Sequence, residues 1–196
     1  FTLGIKKAEQ IGSDLIVATD PDADRVGVVT KAANGEFVTI TGNQMGALLL
    51  DYIITQLRAQ NRLPDHAYAI KSIVTTEMAT KICEQNNVTM YSVFTGFKNI
   101  GEKMYEMEQA GNHGFLFGYE ESYGYLRGNY ARDKDAVVAT MLICEMASYY
   151  ATQNKTLYDA LQGLYEKYGY YLDRQENIYM KGLSGLERMK QLMAAL

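Results

Sequence analysis

The pattern of apolar and polar positions predicts a series of short strands and amphipathic helices. Apolar runs bounded by turn residues predict strands at 15–19, 26–30 and 37–40, after a short helix at the start of the chain. Asn34-Gly35 is a hairpin turn signal before the third of these strands. From residue 43, apolar side chains recur at i, i+3, i+4, i+7 and i+8, which is typical of a helix with one buried face.

Further along the chain, strands and helices alternate. Strands are predicted at 69–74, 89–94 and 115–117, and the helices that follow them carry apolar positions around 78–82, 100–107 and 135–150. Alternation with short connections implies a mostly parallel sheet covered by helices on both faces. The predicted fold class is therefore α/β, with a three-layer α/β/α domain built on a mostly parallel mixed sheet.

The predicted elements divide the chain into three parts. The three-layer domain is predicted at residues 41–168. Residues 1–40 offer too few elements to close a core and are interpreted as the C-terminal part of a preceding domain. Residues 169–196 carry a strand-like stretch at 170–180 and a capping-box pattern at 184–187, which predict the start of a following domain. Because the chain does not open with Met, we expect a piece of a longer protein.

Composition and charge exclude several classes of protein. Of the 196 residues, 47% are hydrophobic and 21% are charged, which is ordinary for a folded globular protein. The formal net charge of -4 argues against a nucleic-acid partner or an anionic membrane surface. Asp51 and Glu145 interrupt the longest apolar stretches, so no membrane-spanning helix is expected. The partners should be small molecules or proteins.

The two cysteines indicate a cellular compartment. Cys83 and Cys144 are far apart in sequence and belong to no metal-binding motif. Both lie in apolar helical patterns, which predicts two buried thiols rather than a disulfide. We therefore expect a cytoplasmic protein.

The segment 20–25 concentrates charge at the end of a predicted strand. Asp20, Asp22 and Asp24 place three carboxylates within five residues, and like charges this close require a cation. Hard divalent ions take oxygen ligands of this kind, so the loop predicts a Mg²⁺ site. Arg25 follows directly and offers a guanidinium group suited to phosphate. Metal and phosphate together indicate phosphoryl chemistry.

Three other interpretations of this loop were weighed against a magnesium site. A calcium-binding EF-hand loop fails, because it needs Gly where Arg25 stands and Glu where Lys31 stands. A phosphatase of the haloacid-dehalogenase type would use Asp20 as nucleophile and Asp22 as acid, although such enzymes usually carry Thr or Val at the position of Asp24. A polar turn, in which Asp side chains bond to backbone N–H groups, requires fewer than three carboxylates.

Two later segments suit a sugar phosphate. The segment 95–98 opens a helix, where free N–H groups, the small Gly96 and the charge of Lys98 could hold a phosphate; an N-capped turn with an exposed lysine explains it equally well. The segment 118–125 combines carboxylates, a hydroxyl group, tyrosines and bracketing glycines, which suit sugar hydroxyls. A solvated loop is the alternative for the second segment.

A fourth segment, 132–135, precedes the predicted long helix. Asp135 is suited to the N-cap position of that helix. Lys134 could transfer a proton if neighbouring cations depress its pKa, although lysines in such charged runs are usually solvated.

These four segments, in this order, resemble the α-D-phosphohexomutase superfamily, which includes phosphoglucomutases and phosphomannomutases. The segment 20–25 resembles the family's magnesium loop, in which three Asp bind the ion and the Arg lies near a phosphoserine. The segment 118–124 resembles its sugar loop, and 95–98 resembles the Thr-Gly-aromatic-Lys form found in the glucomutases. The segment 132–135 is similar to the basic segment whose Lys is a proposed acid/base group or phosphate contact.

The resemblance implies an activity and a set of site residues. The expected metal ligands for Mg²⁺ are Asp20, Asp22 and Asp24, the expected catalytic residues are Lys134 and Arg25, and the expected substrate-binding residues are Glu120, Ser122, Thr95, Gly96, Lys98 and Arg132. The implied enzyme interconverts hexose 1-phosphate and 6-phosphate, and the resemblance to the glucomutase branch favours glucose. A phosphatase that uses Asp20 and a non-catalytic sugar-phosphate-binding module remain the alternatives.

The resemblance also implies missing parts. It covers the end of the family's second domain, all of its third and the beginning of its fourth. The family's phosphoserine segment and the phosphate-binding loop of its fourth domain do not occur in this sequence. We therefore expect the remaining domains of the same polypeptide to be partners of this chain. Alone, the chain should be inactive and should bind Mg²⁺ weakly or not at all.

Overall fold

The computed structural model describes residues 1–174, 176 and 178–195. In chain order the elements are α1 (Thr2–Ile11), β1 (Leu15–Thr19), β2 (Val26–Lys31), β3 (Phe37–Ile40), α2 (Gly42–Ala59), β4 (Tyr68–Ser72), α3 (Glu77–Gln85), β5 (Thr89–Val93), α4 (Phe97–Gln109), β6 (Phe115–Glu120), β7 (Gly124–Leu126), α5 (Ala136–Ala151), α6 (Leu157–Tyr168) and α7 (Gly182–Ala195). Side-chain caps explain several helix starts. Thr41 begins α2 and Thr156 begins α6, each with a complete capping box.

The strands form two sheets. Strands β1, β2 and β3 make a three-stranded antiparallel sheet in that order. The second sheet has the order β5-β4-β6-β7, in which β4 runs parallel to β5 and β6 while β7 is antiparallel to β6. This mixed sheet confirms the predicted α/β class. The hairpin between β6 and β7 turns at the same edge of the sheet at which β4 and β5 end.

Alternating side chains of the mixed sheet build two apolar layers. On β4, Tyr68 and Ile70 pack against α4 through Phe97 and Ile100, whereas Ala69 faces the layer that contains α2 and α3. Helices therefore cover both faces of the sheet, as the alternation of elements predicts.

Helix α2 lies at the centre of the larger layer. Its residues from Met45 to Ile54 are buried, because α3, α5 and α6 surround the helix on the sides that the sheet leaves open. Leu48, Leu49 and Leu50 are at most 1% exposed. Complete burial of a leucine contributes roughly 1.5–3 kcal/mol to folding, so this helix anchors the domain.

Polar contacts join the helices of this layer. Asp51 of α2 accepts hydrogen bonds from the Tyr168 hydroxyl group and from Lys167 Nζ of α6, the second at 3.1 Å. Asn86, which follows α3, donates to the same Tyr168 hydroxyl oxygen at 3.0 Å. Because buried polar groups must find partners, this network fixes the relative positions of α2, α3 and α6.

Some predicted elements differ from the structure. Strand β4 ends at Ser72, where Thr75 donates its N–H to the Ser72 carbonyl oxygen and closes a turn, so the prediction of a strand to residue 74 is wrong by two residues. The described residues of 170–180 form no strand, and residues 175 and 177 of that prediction lie outside the described residues. Among the described residues no partner strand lies beside this stretch, and a lone strand is not stable.

The thiol prediction is half correct. Cys83 is buried in α3, where burial raises the pKa of its thiol to about 12. Cys144 is exposed, because α5 turns this side of an apolar helix towards solvent. Within the described residues, no helix combines the length and the apolar character that crossing a membrane requires.

Candidate active site

The acidic loop between β1 and β2 brings its three carboxylates together. Oxygen atoms of Asp20, Asp22 and Asp24 all lie within 4.8 Å of one another. The side chain of Asp20, the first residue of the loop, stabilises the loop conformation. Asp20 Oδ1 accepts hydrogen bonds from the backbone N–H groups of Asp24 at 3.2 Å and of Arg25 at 3.1 Å. Ala23 adopts a left-handed backbone with φ 57, which allows the tight reversal. The sequence prediction that this loop clusters carboxylates agrees with this geometry.

One oxygen of the cluster has the properties of a metal ligand. Asp24 Oδ1 is buried and accepts no hydrogen bond from the described part of the chain. The backbone N–H of Arg25 is the main cause that lowers the pKa of Asp20 below its ordinary value, so Asp20 is anionic at neutral pH. A buried orphan oxygen beside two further carboxylates fits a hard divalent cation such as Mg²⁺.

Lys134 lies where all four segments meet. Its Nζ atom is 2.9 Å from Asp24 Oδ2 and 3.1 Å from Asp133 Oδ1, and its side chain is only 14% exposed. The ammonium group lies 5.7 Å from the centre of the Phe97 ring. Its aliphatic stem crosses Gly124, where a Cβ atom would be 2.3 Å from Lys134 Cδ. The acidic loop, the segment after β5 and the β6–β7 hairpin therefore all contact this one side chain.

Carboxylates rather than cations surround Lys134. Burial opposes its charge, but hydrogen bonds to Asp24 and Asp133 outweigh this effect and raise the pKa of Lys134 above its ordinary value. The proton-transfer role of Lys134 stays a prediction. As it stands, Lys134 is a protonated donor.

The hairpin between β6 and β7 carries the predicted sugar-binding residues. Glu120 ends β6, is 8% exposed, and its Oε1 atom accepts the backbone N–H of Gly96 at 2.8 Å. The backbone of Gly96 has φ 103, a value that residues with a side chain rarely adopt. Glycine at this position therefore allows the backbone N–H to point at the Glu120 carboxylate. This hydrogen bond joins the segment 95–98 to the hairpin.

Ser122 lies in the turn of the hairpin, beside a cleft. The cleft has a volume of about 830 Å³, and its lining includes Arg25, Asn43, Val74 and Ser122. Arg25 pairs in a β-bridge with Gly124, and its guanidinium Nε lies 4.0 Å from Asp24 Oδ1. A guanidinium group and a hydroxyl group thus line one opening that is large enough for a phosphorylated sugar, and the carboxylate cluster begins next to this guanidinium group, at Asp24.

Backbone hydrogen bonds fix the acidic loop to the hairpin and to α5. Val26 donates its N–H to the Tyr123 carbonyl oxygen at 3.1 Å, and Ala136 donates to the Ala23 carbonyl oxygen at 3.0 Å. Asp135 begins α5 as predicted, with Oδ1 accepting the N–H of Val137 at 2.8 Å. These backbone bonds hold the acidic loop against the hairpin and α5, while the side chain of Glu120 joins the segment 95–98 to the same hairpin.

Of the predicted substrate-binding residues, Ser122 lines the cleft, and Thr95, Lys98 and Arg132 are engaged or exposed elsewhere. Arg132 forms an ion pair with Glu108 of α4, so its guanidinium group is already neutralised. Lys98 is exposed on the first turn of α4 and lines a separate depression with Arg132 and Tyr105. Thr95 is exposed, and its carbonyl oxygen accepts a hydrogen bond from the Asn99 side chain.

Sequence reasoning gave no role to Ser72, Thr75 and Glu121. Glu121 lines the cleft beside Ser122, and its carboxylate accepts hydrogen bonds from the hydroxyl groups of Ser72 and Thr75. The only sequence signal for this contact is the presence of hydroxyl residues directly after an apolar strand. Their partner stands 46 positions further along the chain than Thr75, so no local pattern reveals the contact.

Comparison with known proteins finds one family model and several relatives that resemble this chain. Residues 41–168 match the family model described as phosphoglucomutase/phosphomannomutase, alpha/beta/alpha domain III. A phosphoglucomutase of Staphylococcus haemolyticus is 37% identical over 196 residues, which is 100% of this chain and 35% of that protein. The chain therefore spans about a third of the length of this relative.

Solved structures share the fold. A candidate phosphomannomutase of Thermus thermophilus superimposes with a TM-score of 0.64 at 26% identity, over 86% of this chain and 34% of that chain. The phosphoglucomutase parafusin of Paramecium, in its open form, gives a TM-score of 0.65 at 21% identity, over 86% of this chain and 27% of that chain. The second likeness extends to the fold alone.

Proposed function

The chain belongs to the phosphoglucomutase/phosphomannomutase family, and we propose that it is the metal-binding and sugar-binding part of a magnesium-dependent phosphosugar mutase. The observation that carries this proposal is the meeting of four segments, distant in sequence, at Lys134. Such a convergence puts a carboxylate cluster next to a cation and a sugar-facing hairpin. Phosphoryl transfer to and from a sugar needs these three elements together.

Asp20, Asp22 and Asp24 would hold the magnesium ion. Their oxygens are close enough to share one cation, and the buried Asp24 Oδ1 accepts no hydrogen bond in the described structure, with Arg25 Nε 4.0 Å away. Bound there, magnesium would stabilise negative charge on a phosphoryl group. Asp24 Oδ2 stays in contact with Lys134, so the same carboxylate would connect the metal with the proton donor.

The β6–β7 hairpin would read the sugar. Glu120 and Ser122 would form hydrogen bonds with hexose hydroxyl groups, and Arg25, which is bridged to the hairpin at Gly124, would bind a phosphate in the same cleft. Lys134, whose ammonium group is held by Asp24 and Asp133, would donate a hydrogen bond to an oxygen of the reacting group. Thr95, Gly96, Lys98 and Arg132 would contribute at the edge of this surface.

The substrate would be a hexose phosphate, with glucose 1-phosphate and glucose 6-phosphate favoured. Support comes from the Staphylococcus haemolyticus relative, which is named a phosphoglucomutase. In the proposed reaction, a phosphoserine elsewhere in the full-length polypeptide donates its phosphoryl group to one sugar hydroxyl. The bisphosphorylated sugar then reorients, and its other phosphoryl group returns to the serine.

The proposed division of the chain follows from the same reasoning. The family model matches residues 41–168, which supports an α/β/α sugar-binding domain at that place. Residues 1–40, which carry the acidic loop, would belong to a preceding domain, and residues 169–196 would begin a following one. The active cleft would then lie where these parts meet.

The test uses the full-length protein with Asp22→Asn. Asp22 is exposed, so the change should leave the fold intact while it removes one metal ligand. We expect kcat/KM for glucose 1-phosphate in a coupled assay to fall by at least about 100-fold, and the affinity for Mg²⁺ in calorimetry to fall in parallel. The matched control is Asp65→Asn, an exposed carboxylate in the turn before β4, which should change neither value.

Two outcomes would contradict the proposal in different ways. Unchanged turnover and unchanged Mg²⁺ affinity in Asp22→Asn would remove the metal assignment. Release of inorganic phosphate without any mutase product would instead support a phosphatase that uses Asp20 as nucleophile.

A further inference from the structure

The turn 121–123 joins β6 to β7 and presents Ser122 to the cleft. We propose that Glu121, Ser72 and Thr75 are positioning residues, which hold this turn so that Ser122 meets the sugar in the correct geometry. The inference rests on the proposed function, in which Ser122 contacts the sugar. It assigns a role to three residues outside the set that the sequence indicated.

A single carboxylate oxygen joins the hairpin to the end of β4. Glu121 Oε2 accepts hydrogen bonds from Ser72 Oγ at 3.0 Å and from Thr75 Oγ1 at 3.2 Å. The two hydroxyl oxygens are themselves 2.7 Å apart. Ser72 is fully buried and Thr75 is 3% exposed. Because both donors are buried, water does not compete for these hydroxyl groups, and the two bonds restrict the side chain of Glu121, which is itself partly buried.

The backbone of the turn is held from two further sides. A Cβ atom on Gly42, the first residue of α2, would lie 1.9 Å from the Glu121 carbonyl oxygen, so the helix is in direct contact with the turn. Val26 of β2 donates its N–H to the Tyr123 carbonyl oxygen at 3.1 Å. Tyr123 has φ 70, a conformation that a non-glycine residue adopts only when its surroundings impose it.

Ser122 lies between Glu121 and Tyr123, the two residues whose contacts hold the turn. It lines the cleft and is partly exposed, and within the described structure no hydrogen bond engages its hydroxyl group. Its neighbours on both sides are fixed, one by the buried hydroxyl pair and one by β2. A hydroxyl group that is pre-organised but has no protein partner is available for a ligand, and affinity gains because little freedom is lost on binding.

The experiment is a double-mutant cycle in the full-length protein, with kcat and KM measured for glucose 1-phosphate. We expect Glu121→Ala and Ser122→Ala each to raise KM about 10-fold while kcat changes less than about 2-fold, because a uniform binding contact is lost. The double variant should have the same KM as Ser122→Ala alone, because Glu121 acts through Ser122. Glu121→Gln, which keeps an acceptor oxygen for the hydroxyl pair, should restore most of the affinity.

Two control variants and one milder substitution keep the result interpretable. Glu166→Ala and Ser148→Ala remove the same groups from α6 and α5, away from the cleft, and should leave KM unchanged. Ser72→Ala removes one bond to the Glu121 carboxylate without altering the turn itself, and it should raise KM about 3-fold. If Glu121→Ala lowers the urea concentration at the midpoint of unfolding, the KM of Ser72→Ala serves as the test instead.

The outcomes separate the two proposals. Multiplicative effects in the double variant would overturn the positioning role, because Glu121 would then act independently of Ser122. A normal KM for Glu121→Ala or Ser72→Ala, together with a raised KM for Ser122→Ala, would also overturn it while leaving the proposed sugar contact intact. A normal KM for Ser122→Ala would remove the sugar contact and the inference with it.

Discussion

At the scale of single residues, two glycines decide how closely the parts of the site approach one another. Gly124 lets the stem of Lys134 lie directly on the β7 backbone, where a methyl group would leave no room. Gly96 takes φ 103 and thereby directs its N–H at Glu120. Both roles depend on the absence of a side chain, so the chemistry of side chains does not predict them.

Gly96→Ala tests the second of these roles. The nearest atom to a Cβ at this position is 3.8 Å away, so space is sufficient and the cost is backbone strain. We expect the free energy of unfolding, measured with urea, to fall by about 1–2 kcal/mol.

The matched control is Gly163→Ala in α6, where a Cβ atom meets nothing within 4 Å. Alanine is the better helix former, so the control should gain roughly 0.5–1 kcal/mol. Equal effects of the two substitutions would show that the backbone at Gly96 is not strained by alanine.

The sequence predicts the contacts of charged residues that are close together in the chain, but not those of charged residues that the fold pairs. Asp20, Asp22 and Asp24 are near neighbours in the chain, and the structure brings them together. Arg132 also suits a phosphate by type, yet it is paired with Glu108, 24 positions away. A residue type states what a group can bind, whereas its nearest partner is set by the fold.

At the scale of elements, β4 and α3 are joined by a buried cation. Lys71 is fully buried, and its Nζ atom donates to the Thr75 carbonyl oxygen at 2.9 Å and to Glu77 Oε1 at 2.8 Å. The hydrogen bond from Lys71, followed by one from Thr80, lowers the pKa of Glu77 below its ordinary value of 4.5. This contact determines where α3 begins relative to the strand, next to the hydroxyl groups that hold Glu121.

The pKa of Glu77 gives a testable dependence of stability on pH. A carboxyl group whose pKa is lowered by folding stabilises the protein above its unfolded pKa, and this contribution is lost as pH falls through the folded pKa. We therefore expect the difference in urea midpoint between wild type and Glu77→Gln to be constant near neutral pH and to shrink below about pH 4.5.

A comparison with Glu84→Gln completes this test. Glu84 forms a longer surface pair with Lys81, at 3.6 Å, and should give little difference at any pH. The assignment is wrong if Glu77→Gln and wild type keep the same separation down to about pH 3.5, well below the ordinary pKa of a glutamate.

At the scale of the whole molecule, burial is distributed unevenly. Helix α2 is enclosed along most of its length, whereas α1 buries only Ala8 and α7 only Gly185 among the described residues. Leu3 of α1 is 81% exposed and Leu183 of α7 is 83% exposed. Helices with so little buried surface open at low free energy, because tertiary packing contributes most of the stability of a short helix.

Hydrogen exchange measures this difference directly. In a protein of residues 1–196, we expect the amides of α2, β4 and β6 to exchange most slowly and those of α1 and α7 to exchange orders of magnitude faster. In the full-length protein the apolar faces of α1 and α7 should gain protection, since the proposed neighbouring domains would cover them. Equal protection of α2 and α7 in the short protein would contradict this description.

The sequence by itself determined most of the helices and strands, the α/β class and the family, because periodicity, caps and short motifs are local properties of the chain; it predicted a strand at 170–180 that the described residues do not form. It also identified the acidic loop, since three carboxylates this close in sequence repel one another unless a cation offsets their charge. Only the tertiary structure decided that Lys134 lies against Asp24, that Glu120 accepts the N–H of Gly96, and that Glu121 is held by Ser72 and Thr75. These contacts join residues 24 to 110 positions apart, and their geometry depends on strand order and on how helices pack, which no local pattern encodes.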